Sequence, residues 1–168
     1  GKNSRRIFRK SITQNIMTDY TFHTGTELLK LTKKHKLSVS DLVLLHEVII
    51  TGKSEKDVRG RMWKRYEVMK EAEKKGVKSG KKSRSRMSGG NAKKIVGHFS
   101  DKKMLLNKFL LKAVAYAIAT GETNACMGKI VAFPTAGASG VLPGVMVAME
   151  EELKIRKETI TDALLNAA

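Results

Sequence analysis

From Thr24 onward, apolar side chains recur along this chain at spacings of three and four, the period of an α-helix packed on one face. Leu28, Leu29 and Leu31 predict a short amphipathic helix over about 25–36, with a basic last turn that suits the helix dipole. Ser40 is the expected N-cap of a second, more apolar helix reaching Thr51, with Leu42, Val43, Leu45, Val48 and Ile49 inward and Gly52 as its stop. Ser54 opens a third, and Asp57 is placed to return a hydrogen bond to its start. Val58, Met62, Tyr66, Met69 and Ala72 then share one face, and Gly76 is read as the end.

The pattern breaks over 74–94, which holds nine basic residues, four glycines and no acid. Such a stretch buries too little apolar surface to fold alone, so a mobile basic loop is expected over 74–90. A helical pattern resumes at Asp101 behind Ser100 as N-cap, with Leu105, Leu106, Phe109, Leu110, Val114 and Ile118 as its apolar face. Ala113, Ala115, Ala117 and Ala119 on the same segment imply close packing. A further helical stretch is expected from Thr123 to Ala132, another over 141–153 with Pro143 in its first turn, and a last one from Arg156 carrying Ile160, Ala163 and Leu164. No apolar–polar alternation of strand type runs more than a few residues. The predicted class is all-α, a compact multi-helix domain with glycine-rich loops at helix N-termini.

Composition narrows this further. The length of 168 residues suits one domain, read as 22–168 behind a basic flexible tail at 1–21. A formal charge of +17 gives the surface an affinity for polyanions, so nonspecific binding of nucleic acid or acidic partners is expected. Cys126 is the only cysteine, which excludes an internal disulfide and any multi-thiolate metal site within this chain. The longest apolar runs are far shorter than a membrane span, and a cytoplasmic protein without membrane contact is expected.

Little of the chain carries obvious chemistry. His23, His35, His46 and His98 lack the spacing of a zinc-protease pair, and neither a P-loop nor a dinucleotide fingerprint is present. The acidic run Glu150–Glu152 reads as a solvated helix end, and Cys126 as a buried inert thiol. The loop Pro134–Gly140 is different: glycines, small residues and two hydroxyls lead into a helix. Unpaired N–H groups at such a point suit a carboxylate or phosphate, with Thr135 and Ser139 as added donors. A tight connection between packed helices explains the same residues equally well. Ser88-Gly89-Gly90-Asn91 repeats the theme more weakly, with Asn91 as a cap for a short helix.

The run TNACMGKIVAFPTAGASGVLPGVM at 123–146 closely resembles the core motif of the α subunit of iron–sulfur-dependent L-serine dehydratases, without gaps. Ser88-Gly89-Gly90-Asn91-Ala92 is similar to that family's upstream element, and the likeness extends from about residue 22 to the end. The resemblance implies conversion of L-serine to pyruvate and ammonia. It also implies a [4Fe–4S] cluster whose open iron serves as a Lewis acid on the serine hydroxyl. The family's cluster cysteines lie beyond Ala168, and Cys126 stands where the family has a small residue, so this chain alone cannot hold the cluster. The implied partners are a C-terminal cysteine-bearing segment and a β subunit or domain, within an oligomer; the isolated chain is expected to be inactive. By the resemblance and the loop physics together, Thr135, Gly137, Ser139 and Gly140 are the expected substrate contacts, followed by Ser88, Gly89, Gly90 and Asn124. No residue identifies itself as a general base. Two other readings stand beside this one: a relative acting on L-cysteine or another small β-substituted amino acid, and a basic polyanion- or nucleic-acid-binding domain without a stacking platform.

Overall fold

A computed structural model describes residues 20–100 and 106–167. All regular structure among them is helical: α1 (Gly25–His35), α2 (Val39–Thr51), α3 (Glu55–Ser79), α4 (Asn91–Gly97), α5 (Lys108–Ala125), α6 (Ala138–Leu153) and α7 (Lys157–Ala167). The all-α expectation holds. The basic tail at 1–21 lies outside the described residues except for its last two positions, as does most of the expected 101–105 helix start. None of the described helices is long and apolar enough to cross a membrane.

The described residues group into two compact units. The first takes residues up to Met62 together with those from Thr161; the second is Trp63–Ile160. Both boundaries fall inside helices, α3 and α7, so no linker composition marks them.

In the first unit the helix starts are fixed by short polar side chains. Thr24 Oγ1 accepts the Glu27 N–H at 3.2 Å while Glu27 Oε2 accepts the Thr24 N–H at 3.2 Å, a reciprocal cap on α1. Ser38, not Ser40, does the same for α2: its Oγ accepts the Asp41 N–H at 3.1 Å, and the Asp41 carboxylate accepts the Ser38 N–H at 3.3 Å. Ser40 is displaced into the first turn, where it is buried, because Asp41 must lie three residues after the cap for the exchange to close. Gly52 ends α2 at φ 65°, as expected. Ser54 and Asp57 also meet as expected, with Asp57 N–H to Ser54 Oγ at 3.2 Å.

The second unit departs more from the sequence reading. Of the predicted α3 face, Tyr66, Met69 and Ala72 are buried in this unit, and Val58 and Met62 are buried in the first. Gly76 does not end α3, which runs on to Ser79. A side chain at Gly76 would collide with the Ala119 backbone of α5, so the glycine permits close approach and does not stop the helix. The basic loop therefore spans only the residues between Ser79 and Asn91. Helix α5 starts behind Asn107, whose Oδ1 accepts the Leu110 N–H at 2.8 Å, and not behind Ser100. It buries Leu111, Ala113, Ala115 and Ala119, while the predicted face residues Leu106, Leu110 and Val114 are exposed. The expected 123–132 helix is absent: α5 ends at Ala125, Met127 takes φ 60°, and the chain runs irregularly to α6. Pro143 lies inside α6, past its first turn, because that helix begins at Ala138.

Candidate functional site

The loop before α6 is held by its own two hydroxyls. Ser139 Oγ accepts the Phe133 N–H at 2.9 Å and donates to the Thr135 carbonyl at 3.2 Å. Thr135 Oγ1 accepts the Ala138 N–H at 3.1 Å, and the Thr135 carbonyl also accepts the Ser139 N–H at 3.2 Å. The Gly137 carbonyl takes the N–H groups of Gly140 at 3.1 Å and Val141 at 2.9 Å. The N–H groups of Ala138, Ser139 and Gly140, the first three of the helix, are thus consumed within the loop itself. Three N–H groups remain without a hydrogen-bond partner among the described residues, those of Thr135, Ala136 and Gly137, and all three residues are exposed.

The glycines of this segment separate by purpose. A Cβ on Gly140 would lie 3.1 Å from the Ala117 carbonyl, and one on Gly144 only 2.5 Å from the Ala117 nitrogen and 2.7 Å from the Ala113 carbonyl. Both serve the packing of α6 on α5. A Cβ on Gly137 would meet nothing within 4 Å, and its φ of −63° is open to any residue. The tight-connection reading therefore accounts for Gly140. It leaves Gly137 without a structural reason to be glycine.

Ser88-Gly89-Gly90 forms a tight turn onto the chain before it. The Ser83 N–H donates to the Ser88 carbonyl at 2.8 Å, and Ser83 Oγ accepts the Ser88 N–H at 3.3 Å. Gly89 (φ 123°) lies so close to the Lys81 carbonyl that any side chain would clash there, and Gly90 (φ 84°) is the N-cap of α4. Asn91 does not cap that helix. Its own N–H donates instead to Glu122 Oε1 of α5 at 2.7 Å, so a protein carboxylate fills the place where a guest anion would sit. Glu122 is buried, and its second oxygen has no partner. Sequence reasoning passed over Glu122; an acid among the small residues of α5 was the available signal. Asn124 is exposed near the end of α5, and its carbonyl accepts the Met127 N–H at 2.9 Å. No hydrogen bond or ion pair among the described residues joins the two glycine loops.

A second missed group lies where α3, α5 and α6 meet. Glu150 Oε2 accepts the Tyr66 hydroxyl at 2.9 Å and the Lys70 ammonium at 2.6 Å. Glu151 accepts the Tyr116 hydroxyl at 2.8 Å and Lys112 at 3.0 Å, while Glu152 pairs with Lys112 at 2.6 Å. The run at 150–152 is a solvated helix end only in part: Glu151 and Glu152 are exposed but paired, while Glu150 is half-buried against Tyr66 and Lys70. Burial, and then the Glu150 hydrogen bond, raises the Tyr66 hydroxyl far above its ordinary range. Close by, Glu73 is 2% exposed with both oxygens unpartnered. Burial, and then the charge of Glu151, pushes its carboxyl up to about 8.

Among the described residues, no group of three or more His, Cys, Asp or Glu side chains could hold a metal ion. With Cys126 as the only cysteine, the donor set does not fit a four-iron cluster, which needs several thiolates. Cys126 is only half-buried, its Sγ 3.8 Å from the Lys81 carbonyl, so it is not the enclosed thiol expected.

Residues 34–168, which include both glycine loops and every helix from α2 onward, match the family model for the serine dehydratase alpha chain. The chain belongs to the serine dehydratase alpha chain family. It is similar to the probable L-serine dehydratase alpha chain of Bacillus subtilis, at 36% identity over 146 residues, covering 87% of this chain and 48% of that protein. It is likewise similar to the L-serine dehydratase alpha chain of Peptoniphilus asaccharolyticus, at 32% identity over 86% of this chain and 50% of that one. An L-serine dehydratase of Streptomyces coelicolor is 30% identical over 76% of this chain and 28% of its own length. The chain thus spans about half the length of the Bacillus and Peptoniphilus relatives.

Proposed function

We propose that this chain provides the substrate-binding part of an L-serine dehydratase, with the free N–H groups of Thr135, Ala136 and Gly137 receiving the carboxylate of L-serine. The observation that carries the reading is that three consecutive exposed amides lack partners among the described residues, in a loop whose other backbone N–H groups are engaged. Unpaired backbone donors on a rigid turn favour an anionic guest, because no ordering cost remains when it arrives. In this arrangement Gly137 leaves room for the substrate, Ser139 positions the loop from behind, and Gly140 sets its distance from α5. Ser88, Gly89 and Gly90 shape a separate turn and form a second tier. Exposed Asn124 remains a possible side-chain contact from the end of α5.

The overall reaction removes water from serine, and the resulting enamine tautomerises and hydrolyses to pyruvate and ammonia. The names of the alpha-chain relatives support a second, β polypeptide in the working enzyme. The exposed apolar residues Leu106, Leu110 and Val114 fit an assembly in which more protein covers α5. The cluster that the family likeness implies would rest on cysteines supplied by such further polypeptide, in a cytoplasmic oligomer.

Co-expression with the family's cysteine-bearing segment and β portion tests the proposal. A brown, oxygen-sensitive complex that releases pyruvate from L-serine is expected. A colourless complex whose activity depends on pyridoxal phosphate overturns it. A higher kcat/KM for L-cysteine than for L-serine would reassign the substrate while keeping the carboxylate seat.

A further inference from the structure

The basic tract noted in the sequence does not spread evenly over the surface. Its first half lines a cavity of about 560 Å³, whose walls include Lys74, Lys75, Lys78 and Ser79 of α3, Lys81 beyond it, and Thr123, Cys126 and Gly128 at the end of α5. The one acid in the lining, Glu71, is taken by Lys75 at 2.7 Å. Lys74, Lys78 and Lys81 form no ion pair among the described residues. Four exposed lysines against one carboxylate give the cavity a net positive charge, and a concave wall concentrates that field more than a flat surface does.

The opposite wall offers little of its own. Thr123 Oγ1 is committed to the Ala72 carbonyl at 2.7 Å, the Gly128 N–H to the Thr123 carbonyl at 2.8 Å, and Cys126 leans on Lys81. Recognition would therefore come from the lysines, with the Ser79 hydroxyl as a neutral donor beside them. A lysine at the end of a helix is often there only for the dipole. That explains one or two charges on α3, but not the three unpaired lysines that line one open cavity.

We propose that this cavity is a binding site for a compact polyanion bearing two or more phosphate groups. Point-like ammonium charges suit phosphate oxygens, and the volume falls within the range of small-molecule sites, about 300–1,000 Å³. A serine zwitterion does not fit the same chemistry, since its ammonium would meet four others. The site is thus distinct from the amide seat at 135–137 and does not rest on it. A long nucleic acid would use the wider basic surface and would not depend on this one concave spot.

Pyrophosphate is the probe. Titrated into the full chain by calorimetry, it is expected to bind one to one and to slow alkylation of Cys126 by iodoacetamide about fivefold, because that thiol lines the cavity. The combined variant Lys74→Ala, Lys78→Ala, Lys81→Ala should weaken binding at least tenfold, and a charge-matched control (Lys30→Ala, Lys33→Ala, Lys53→Ala) less than twofold. Equal weakening in both variants, or binding that leaves the alkylation rate of the unaltered chain unchanged, overturns the proposal. So does a 20-nucleotide RNA that pyrophosphate fails to displace, which would mark an extended nucleic-acid surface.

Discussion

The N–H of Asn91, at the start of α4, donates to the buried carboxylate of Glu122 on α5 at 2.7 Å. The contact ties the upstream glycine turn to the helix that precedes the 133–140 loop. It also places a fixed negative charge at a helix start whose N-cap, Gly90, offers no side chain. Glu122→Ala should destabilise the chain by about 1–3 kcal/mol, the cost of leaving such a donor unmet. Glu122→Gln, which keeps an acceptor, should lose clearly less. Urea unfolding of the two variants checks the difference, and equal losses would mean that a neutral acceptor of the same shape does not replace the carboxylate.

Glycine substitutions separate packing from propensity. At Gly144 a methyl would press on backbone atoms of Ala113 and Ala117, which cannot rotate away. Gly144→Ala is expected to cost at least about 2 kcal/mol through forced separation of α5 and α6. Gly121, inside α5, has nothing within 4 Å of such a methyl. Gly121→Ala should therefore stabilise by about 0.5–1 kcal/mol through helix propensity alone. Thermal unfolding of both variants should move in opposite directions.

The same glycines explain which parts of the fold could be read in advance. The α3 face was legible because its buried residues are large and evenly spaced. On α5 the rule failed, since Gly76 and Gly144 bring neighbouring backbones so near that only alanines fit between. The larger Leu110 and Val114 are left outside. Periodicity counts apolar bulk and so chose the wrong side; it also took Gly76 for a stop. Both glycine loops were visible as motifs, but their hydrogen bonds were not. Whether an amide is spent on Ser139 or Thr135, or left over for a guest, depends on loop dihedrals that composition does not encode. Glu73 escaped notice because nothing local distinguishes a buried acid from a solvated one, whereas Glu122 was marked only by the small residues around it.

Glu73 gives the chain a distinctive pH response. Its carboxyl ionises near the ordinary 4.5 when unfolded and at about 8 when folded, so the unfolded chain releases that proton first as pH rises. The group's contribution is most favourable below 4.5 and is lost between there and about 8, at roughly 1.4 kcal/mol per pH unit. Beyond about 8 the loss is complete and the carboxylate stays buried without a partner. Glu73→Gln cannot ionise, so the stability of the unaltered chain minus that of the variant should fall across this window and level off above it. A difference independent of pH would mean that a counter-charge reaches Glu73 in solution.

Gly137 and Ser139 divide the work of the 133–140 loop, and kinetics should separate them. At Gly137 the backbone is helical and the space beside it open, so Gly137→Val should leave unfolding within about 0.5 kcal/mol of the unaltered chain apart from its lower helix propensity. If the neighbouring amides receive the serine carboxylate, the added methyls stand in the substrate's place. KM for L-serine in the reconstituted enzyme should then rise at least tenfold. Ser139→Ala removes the acceptor for Phe133 N–H and the donor to the Thr135 carbonyl, both at a buried position. It should lower stability by about 1 kcal/mol and reduce kcat/KM by loosening the turn, whereas Ser139→Thr, which keeps the hydroxyl, should recover part of both. An unchanged KM in Gly137→Val, with stability intact, would remove the carboxylate from these amides.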